Sequence, residues 1–109
     1  MSVSDTLLQY RPVLYAAGGS DGARGTIQLT GTTLVMSLRF VEAGTPPRPV
    51  IVAPIAVATF TTFVAADMPM EHWGSIIDLL RHETPLFFGE DGGRVWVATT
   101  NEPVGEGEV

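Results

Sequence analysis

Hydrophobic and polar residues alternate most regularly between residues 33 and 42. One side of this stretch carries Leu34, Met36, Leu38 and Phe40, and the other side carries Ser37 and Arg39. A period of two is typical of a β-strand with one buried and one solvated face. A shorter alternation occupies residues 26–30, and Gly31-Thr32 between the two stretches predicts a tight hairpin.

Two further stretches predict strands on either side of this hairpin. Residues 10–17 are rich in apolar side chains, and Pro12 near their start favours an edge position because proline cannot donate to a ladder. Residues 50–65 mix Val, Ile, Phe and Thr, which suits strands. Pro54 interrupts them, so we expect one interrupted strand or two strands, with Pro54 at a bulge or bend.

The period changes to that of a helix between residues 70 and 83. Apolar residues recur at helical spacing at Met70, Trp73, Ile76, Ile77 and Leu80. The opposite stripe is polar and contains Glu71, Ser75, Asp78 and His82. We therefore predict one amphipathic helix, which ends before Pro85.

A final hairpin follows the helix, with strands at residues 85–89 and 94–100 and a turn at Asp91-Gly92-Gly93. The predicted fold class is α+β and mostly β, either an antiparallel sheet or a small rolled barrel of about six or seven strands. Residues 1–100 are expected to form a single globular domain. Residues 101–109 (NEPVGEGEV) are expected to form a flexible acidic C-terminal tail.

Composition excludes several kinds of chemistry. The 109 residues are 45% hydrophobic and include no cysteine, so disulfides, thiol catalysis and cysteine-bound metals are excluded. All six basic residues are arginine, which also excludes Schiff-base chemistry at lysine. The net charge of −6 argues against binding to nucleic acid, since phosphate contacts need clustered cations. Missing lysine and cysteine indicate a GC-rich, bacterial genome.

The membrane is also excluded as a partner. Residues 49–66 carry no charge over 18 positions, but Pro54 and three threonines among β-branched residues favour strands over a spanning helix. The first ten residues lack the pattern of a signal peptide. A cytoplasmic location is therefore expected.

No group of residues in the sequence indicates a catalytic, cofactor or metal site. Ser75 and His82 are two helical turns apart, about 10 Å along the axis, which is too far for a nucleophile and its base. His72 and His82 would be about 15 Å apart, too far to share a metal ion. The glycine-rich residues 18–25 match no phosphate-binding motif and lead into a strand.

Several strands are apolar on both faces, and this indicates a protein interface. Consecutive side chains of a strand point to opposite faces, so Phe87 and Phe88 cannot both face one core. One short helix can cover only part of a sheet face. The residues predicted for this interface are Phe60, Phe63, Phe87, Phe88 and Trp96. Either the sheet closes into a barrel or a protein partner, most simply a second copy, covers the second face.

Two classes of function remain open. The first is a non-enzymatic binding or assembly module, such as an interaction subunit or adaptor that forms a homo-oligomer. The alternative is a small-ligand-binding or enzymatic domain whose site forms only in the tertiary structure near the helix at residues 70–83. A closed barrel with a cavity would allow an apolar ligand. The acidic tail could also be captured by a partner as an extended peptide.

Overall fold

The structure is a computed structural model, and it describes residues 2–15 and 23–99. The strands before the helix are β1 (Ser2–Thr6), β2 (Gln9–Leu14), β3 (Ala23–Thr30), β4 (Leu34–Val41), β5 (Ile51–Val57) and β6 (Phe60–Pro69). A short 3-10 turn, Met70–His72, leads into the helix α1 (Trp73–His82). The final hairpin consists of β7 (Phe87–Asp91) and β8 (Arg94–Ala98).

The strands form two sheets. The larger sheet has five strands in the order β2-β3-β4-β6-β5, and the small sheet has three in the order β1-β7-β8. Neighbouring strands are antiparallel except for β4 and β6, which are parallel. The predicted class, α+β and mostly β with one helix before a final hairpin, is confirmed. Residues 2–15 and 23–99 contain eight strands rather than the six or seven predicted.

A bend in the chain joins the two sheets. The backbone N–H of Leu7 donates to Leu86 O over 2.8 Å on the side of the small sheet, and that of Leu8 donates to Thr30 O over 2.9 Å on the side of the larger sheet. At this bend the chain leaves the small sheet, to which β1 belongs, and enters the larger sheet as β2. Among the described residues β5 and β8 do not pair with each other, so the rolled sheet is open rather than a closed barrel.

One face of the larger sheet, here called the core face, is covered by both α1 and the small sheet. Its central residues, Ile27, Leu29, Met36, Leu38, Phe40 and Val64, are at most 1% exposed. Trp73 of α1 meets Phe40 edge to face, with ring centroids 5.0 Å apart. Phe88 of β7 is fully buried in the same cluster. The helix and the small sheet thus share one face.

Asp5 of β1 connects the small sheet to the turn between β3 and β4. Its carboxylate accepts hydrogen bonds from the backbone N–H groups of Thr33 (2.8 Å) and Leu34 (3.1 Å) and from the hydroxyl of Thr32 (2.8 Å). Burial opposes ionisation of Asp5, but these bonds outweigh it and the pKa is lowered. Gly31 is required here, because a Cβ would lie 2.5 Å from Asp5 Oδ2.

Residues 50–65 belong to two strands, and Pro54 lies at a bulge as predicted. The turn between these strands, at Ala58-Thr59, is not predicted by the sequence. Ala58 has a φ of 53°, a left-handed conformation that is uncommon for alanine, so the turn has no sequence signal. Pro54 lies inside β5, beside the bulge between Pro54 and Val57. The polar strand β1 was not predicted at all.

Pro12 lies in β2, which is an edge strand as predicted. Since β5 is the other edge of the larger sheet, both of its edges contain a proline within the strand, Pro12 and Pro54. The assignment of residues 1–100 to a single domain stays a prediction, and the predicted acidic tail at 101–109 lies outside the described residues. No helix in the described part of the chain is long and apolar enough to span a membrane.

Candidate protein interface

The second face of the larger sheet, here called the outer face, points away from α1 and the small sheet. Its residues follow from the strand register, since each alternates with a residue of the core face. The half formed by β2, β3 and most of β4 is mainly polar, with Gln9, Arg11, Thr26, Gln28, Thr30 and Ser37, although half-buried Val13 lies there too. The half next to β5 and β6 is apolar, with Val35, Ile51, Ala53, Phe63 and Ala65.

The apolar half is open enough for contact with another molecule. Ile51 is 56% exposed, and Phe63, Ala53 and Ala65 are half-buried. Phe63 pairs with Val35 across the parallel strands β4 and β6, and Val35 is 9% exposed. The strands β5 and β6 are therefore apolar on both faces, which agrees with the pattern in the sequence but places the second apolar surface on only half of the sheet.

An ion cluster lies at one end of the outer face. Arg39 donates to both carboxylate oxygens of Asp67, from Nε over 3.0 Å and from a terminal nitrogen over 2.7 Å. The backbone N–H of Arg48 donates to Asp67 Oδ2 over 3.0 Å, and the side-chain Nε of Arg48 lies 3.4 Å from the same oxygen. The hydrogen bonds from Arg39 are the main reason that the pKa of Asp67 falls to about 2. Asp67 is therefore ionised at neutral pH.

A groove of about 280 Å³ lies between this cluster and Ile51 and also borders Thr26 and Ser37. The Arg48 side chain beside it is 62% exposed, whereas those of Arg39 and Asp67 are 13% and 4% exposed. The groove thus has a solvent-facing cation on one side and an apolar side chain on the other. Such a pair suits a ligand that carries both a negative charge and an apolar group.

Charge is distributed unequally over the molecule. Among the residues of the outer face defined above, together with Arg39 and Asp67 of its ion cluster, Asp67 is the one acid. Arg11, Arg39 and Arg48 lie on this face or at its border. The other acids within residues 2–15 and 23–99 are Asp5, Glu42, Glu71, Asp78, Glu83, Glu90 and Asp91. Within the described part of this acidic chain, positive charge therefore predominates on one sheet face.

The residues predicted for the interface do not form one surface. Phe63 lies on the outer face of the larger sheet, and half-buried Phe60 pairs with Val57 at the β5–β6 turn. Phe87 and Trp96 are half-buried on the side of the small sheet that faces away from the core. Because the small sheet covers the core face, these two lie on the opposite side of the molecule from Phe63.

The prediction that Phe88 belongs to the interface is wrong, because this side chain is fully buried in the core and offers no surface to a partner. On the other side of the small sheet, the indole ring of Trp96 lies across Gly89, where a Cβ would be 2.8 Å from a ring carbon. Whether the remaining aromatic residues contact a partner stays a prediction.

Sequence reasoning missed Ile51 and Arg48, which border the groove. The signal was present in the uncharged residues 49–66, which the structure folds into β5 and most of β6. It also missed exposed apolar side chains at the edges, Leu8, Leu14 and Val57 among them. These lie at strand ends and bends, where alternation does not show which face is covered.

The helix offers a weaker site. The predicted polar stripe of Glu71, Ser75, Asp78 and His82 is exposed. His82 Nδ1 lies 3.1 Å from the backbone oxygen of Asp78 rather than near Ser75. A groove of about 270 Å³ runs between residues 7–10 and the end of α1 and borders Arg81 and His82. The described residues contain no group of three histidine or acidic side chains placed to hold a metal ion.

Comparison with known proteins finds no matching family model, no matching curated protein and no matching solved structure. The candidate interface therefore rests on the geometry and charge of this chain.

Proposed function

We propose that this protein is a non-enzymatic protein-binding or assembly module, which docks through the outer face of its five-stranded sheet. The observation that carries the proposal is the chemical character of that face. It combines half-buried Phe63 and exposed Ile51 with a polar region and a paired ion cluster. A mixture of apolar contact area with a polar rim is typical of interfaces that form and dissociate.

The positions of α1 and the small sheet support this assignment. Both lie on the core face, so neither of them covers the outer face. A sheet that only had to stay folded would carry polar residues on its solvated side, as β3 does with Thr26, Gln28 and Thr30. The apolar residues of β5 and β6 depart from that pattern, which is expected where a partner covers them.

Affinity purification from the native host tests the proposal. Tagged wild-type chain is compared with Ile51→Asp, which places a charge on the apolar half. We expect the wild type to recover a defined protein at fixed stoichiometry, and Ile51→Asp to reduce its recovery about tenfold or more, because a buried unpaired carboxylate strongly opposes association.

Leu14→Asp is the matched control, because Leu14 is 60% exposed against 56% for Ile51 but lies on the core-face side of β2. The control variant should recover the same protein as wild type. Equal loss with both variants, or equal recovery with both, would contradict the outer face as the docking surface. Size-exclusion chromatography with light scattering on the pure chain shows whether the partner is a second copy.

A small-ligand site in the groove beside α1 is the second candidate. It is favoured by Tyr10, Arg81 and His82, which supply hydrogen-bonding groups along one wall. Extraction of the purified chain followed by mass spectrometry tests it. A stoichiometric small molecule that is lost in His82→Ala would support this candidate, and its absence from every preparation would count against it.

A further inference from the structure

We infer that the occupant of the outer face is an acidic protein segment in which carboxylates alternate with apolar side chains. This inference rests on the proposed function and specifies the chemistry of its partner. It uses the charge of the face, the exposed cation at the groove, and the apolar residue beside that cation.

Charge complementarity is the first argument. Among the described residues of the outer face, three arginines, Arg11, Arg39 and Arg48, outnumber the acid Asp67, although the whole chain has a net charge of −6. The Arg39–Asp67 pair is bidentate and nearly buried, so it neutralises itself. Arg11 and Arg48 remain exposed and are able to attract carboxylates. An acidic segment is therefore favoured over a neutral or basic one.

The arrangement of the face sets the pattern of the segment. Arg48 and Ile51 border the same groove, so a carboxylate and a neighbouring apolar side chain could be bound together. Arg11 lies on β2, three strands away from β6, which corresponds to about 14 Å at the usual strand spacing. An extended peptide rises about 3.3 Å per residue, so roughly five residues join the two cations.

The same charges disfavour packing of two copies outer face to outer face. A two-fold contact would bring Arg11 and Arg48 of each copy onto a face that already carries an excess of arginine. Repulsion of like charges opposes this contact. Pro54 and the bulge beside it also hinder a partner from adding a strand to β5. The segment is therefore expected to contact side chains of the face rather than extend the sheet.

Nucleic acid fits the face less well than an acidic peptide. Binding of a single strand uses several cations interleaved with exposed aromatic rings. Phe63 of the outer face is half-buried next to Val35 and lies on the apolar half. A peptide with apolar side chains uses that half of the surface, whereas a phosphate backbone would not.

Fluorescence anisotropy tests the inference with the full chain and a labelled peptide of four Glu-Val repeats. We expect saturable binding that weakens about tenfold or more on raising the salt concentration from about 20 to 300 mM, because exposed charges are screened. The peptide of four Gln-Val repeats should bind about tenfold more weakly, and that of four Lys-Val repeats should not bind.

Two double variants with the same net charge locate the binding site. Arg11→Glu with Arg48→Glu should weaken binding of the Glu-Val peptide about tenfold or more, since it reverses both exposed cations of the face. Arg81→Glu with Arg94→Glu changes the charge of the chain equally but lies on α1 and β8. This control should bind as wild type does. Thermal unfolding of both variants verifies that each is folded.

Equal weakening by the two double variants would overturn the inference, because it would mean that only total charge matters. Tighter binding of a single-stranded oligonucleotide than of the peptide would overturn it as well. So would a dimer of the pure chain that Ile51→Asp dissociates, since a second copy would then occupy the face.

Failure of this inference can be distinguished from failure of the proposed function. If the Glu-Val peptide does not bind but Ile51→Asp still removes a protein recovered from the host, the acidic segment is wrong and the docking face stands. If Ile51→Asp and Leu14→Asp recover the same proteins as wild type, the docking face itself is wrong.

Discussion

The two faces of the five-stranded sheet are built from the same strands but differ in how well their neighbours cover them. Ile27 and Gln28 are consecutive in β3, yet Ile27 is fully buried on the core face and Gln28 is exposed on the outer face. In β6, by contrast, Val64 is fully buried while its neighbour Phe63 keeps part of an aromatic ring at the outer face. Strand β3 is thus amphipathic, whereas the middle of β6 is apolar on both sides.

This difference separates the residues that stabilise the fold from those proposed to bind a partner. On the core face, α1 and the small sheet supply the covering, and the apolar residues there stabilise the fold. On the outer face neither of them supplies a covering, so apolar residues that stay exposed there, such as Ile51, add little to stability. Equivalent substitutions on the two faces therefore show how much the apolar residues of each face contribute to stability.

The largest difference is expected between Phe40→Ala and Phe63→Ala. Phe40 is fully buried and meets Trp73, so its removal should lower the free energy of unfolding by about 3–5 kcal/mol. Phe63 is half-buried, and its loss should lower it by about 1–2 kcal/mol. Urea denaturation followed by circular dichroism measures both. Equal losses would mean that the outer face is covered in solution.

Removal of the Asp5 carboxylate should have the next largest effect, because it joins the small sheet to the larger one. In Asp5→Ala the N–H groups of Thr33 and Leu34 lose their acceptor. The free energy of unfolding should fall by about 2 kcal/mol. Ser4→Ala, next to it on the exposed side of β1, is the control and should change stability by less than about 0.5 kcal/mol.

Acid should weaken the ion cluster of the outer face. The pKa of Asp67 is about 2 in the folded chain against an ordinary value of 3.8, so its stabilising effect is present above pH 3.8 and is lost as the pH falls toward 2. The free energy of unfolding should drop by about 1–2 kcal/mol over that range through this group. In Asp67→Asn this part of the pH dependence should disappear; an unchanged profile would contradict the assignment.

The smallest effect on stability is expected when one methylene group is removed from each face. Ile27→Val should lower the free energy of unfolding by about 1 kcal/mol, because Ile27 is fully buried. Ile51→Val should change it by less than about 0.5 kcal/mol, because Ile51 is 56% exposed. Urea denaturation of both variants under the same conditions gives the comparison. A loss at Ile51 as large as that at Ile27 would indicate that a second copy covers it.

The sequence predicts the elements whose residues follow a clear period. Strand β4 and the helix are found because alternation and helical spacing reflect burial on one side. The turn at Gly92-Gly93 is found because both glycines adopt a positive φ, of 61° and 88°. Each of these features is encoded within about ten neighbouring residues.

The features that sequence reasoning missed depend on distant contacts. Strand β1 is short and polar, and its place is fixed by pairing with β7 and by the hydrogen bonds of Asp5. The parallel pairing of β4 with β6 is also non-local, since β5 lies between them in the chain. The outer face was missed for the same reason: the two-sided pattern of β5 and β6 is visible, but which side the helix covers is not.

The prolines in β2 and β5 have a consequence for behaviour at high concentration. A sheet with free edges can template the addition of further chains, which leads toward amyloid-like fibrils. Proline has no N–H to offer, and Pro12 and Pro54 occupy both edges of the five-stranded sheet. Addition of a further strand at either edge of this sheet is therefore interrupted at a proline. The chain can thus carry the apolar stretch of β5 and β6 with less tendency to add further strands at the edges of this sheet.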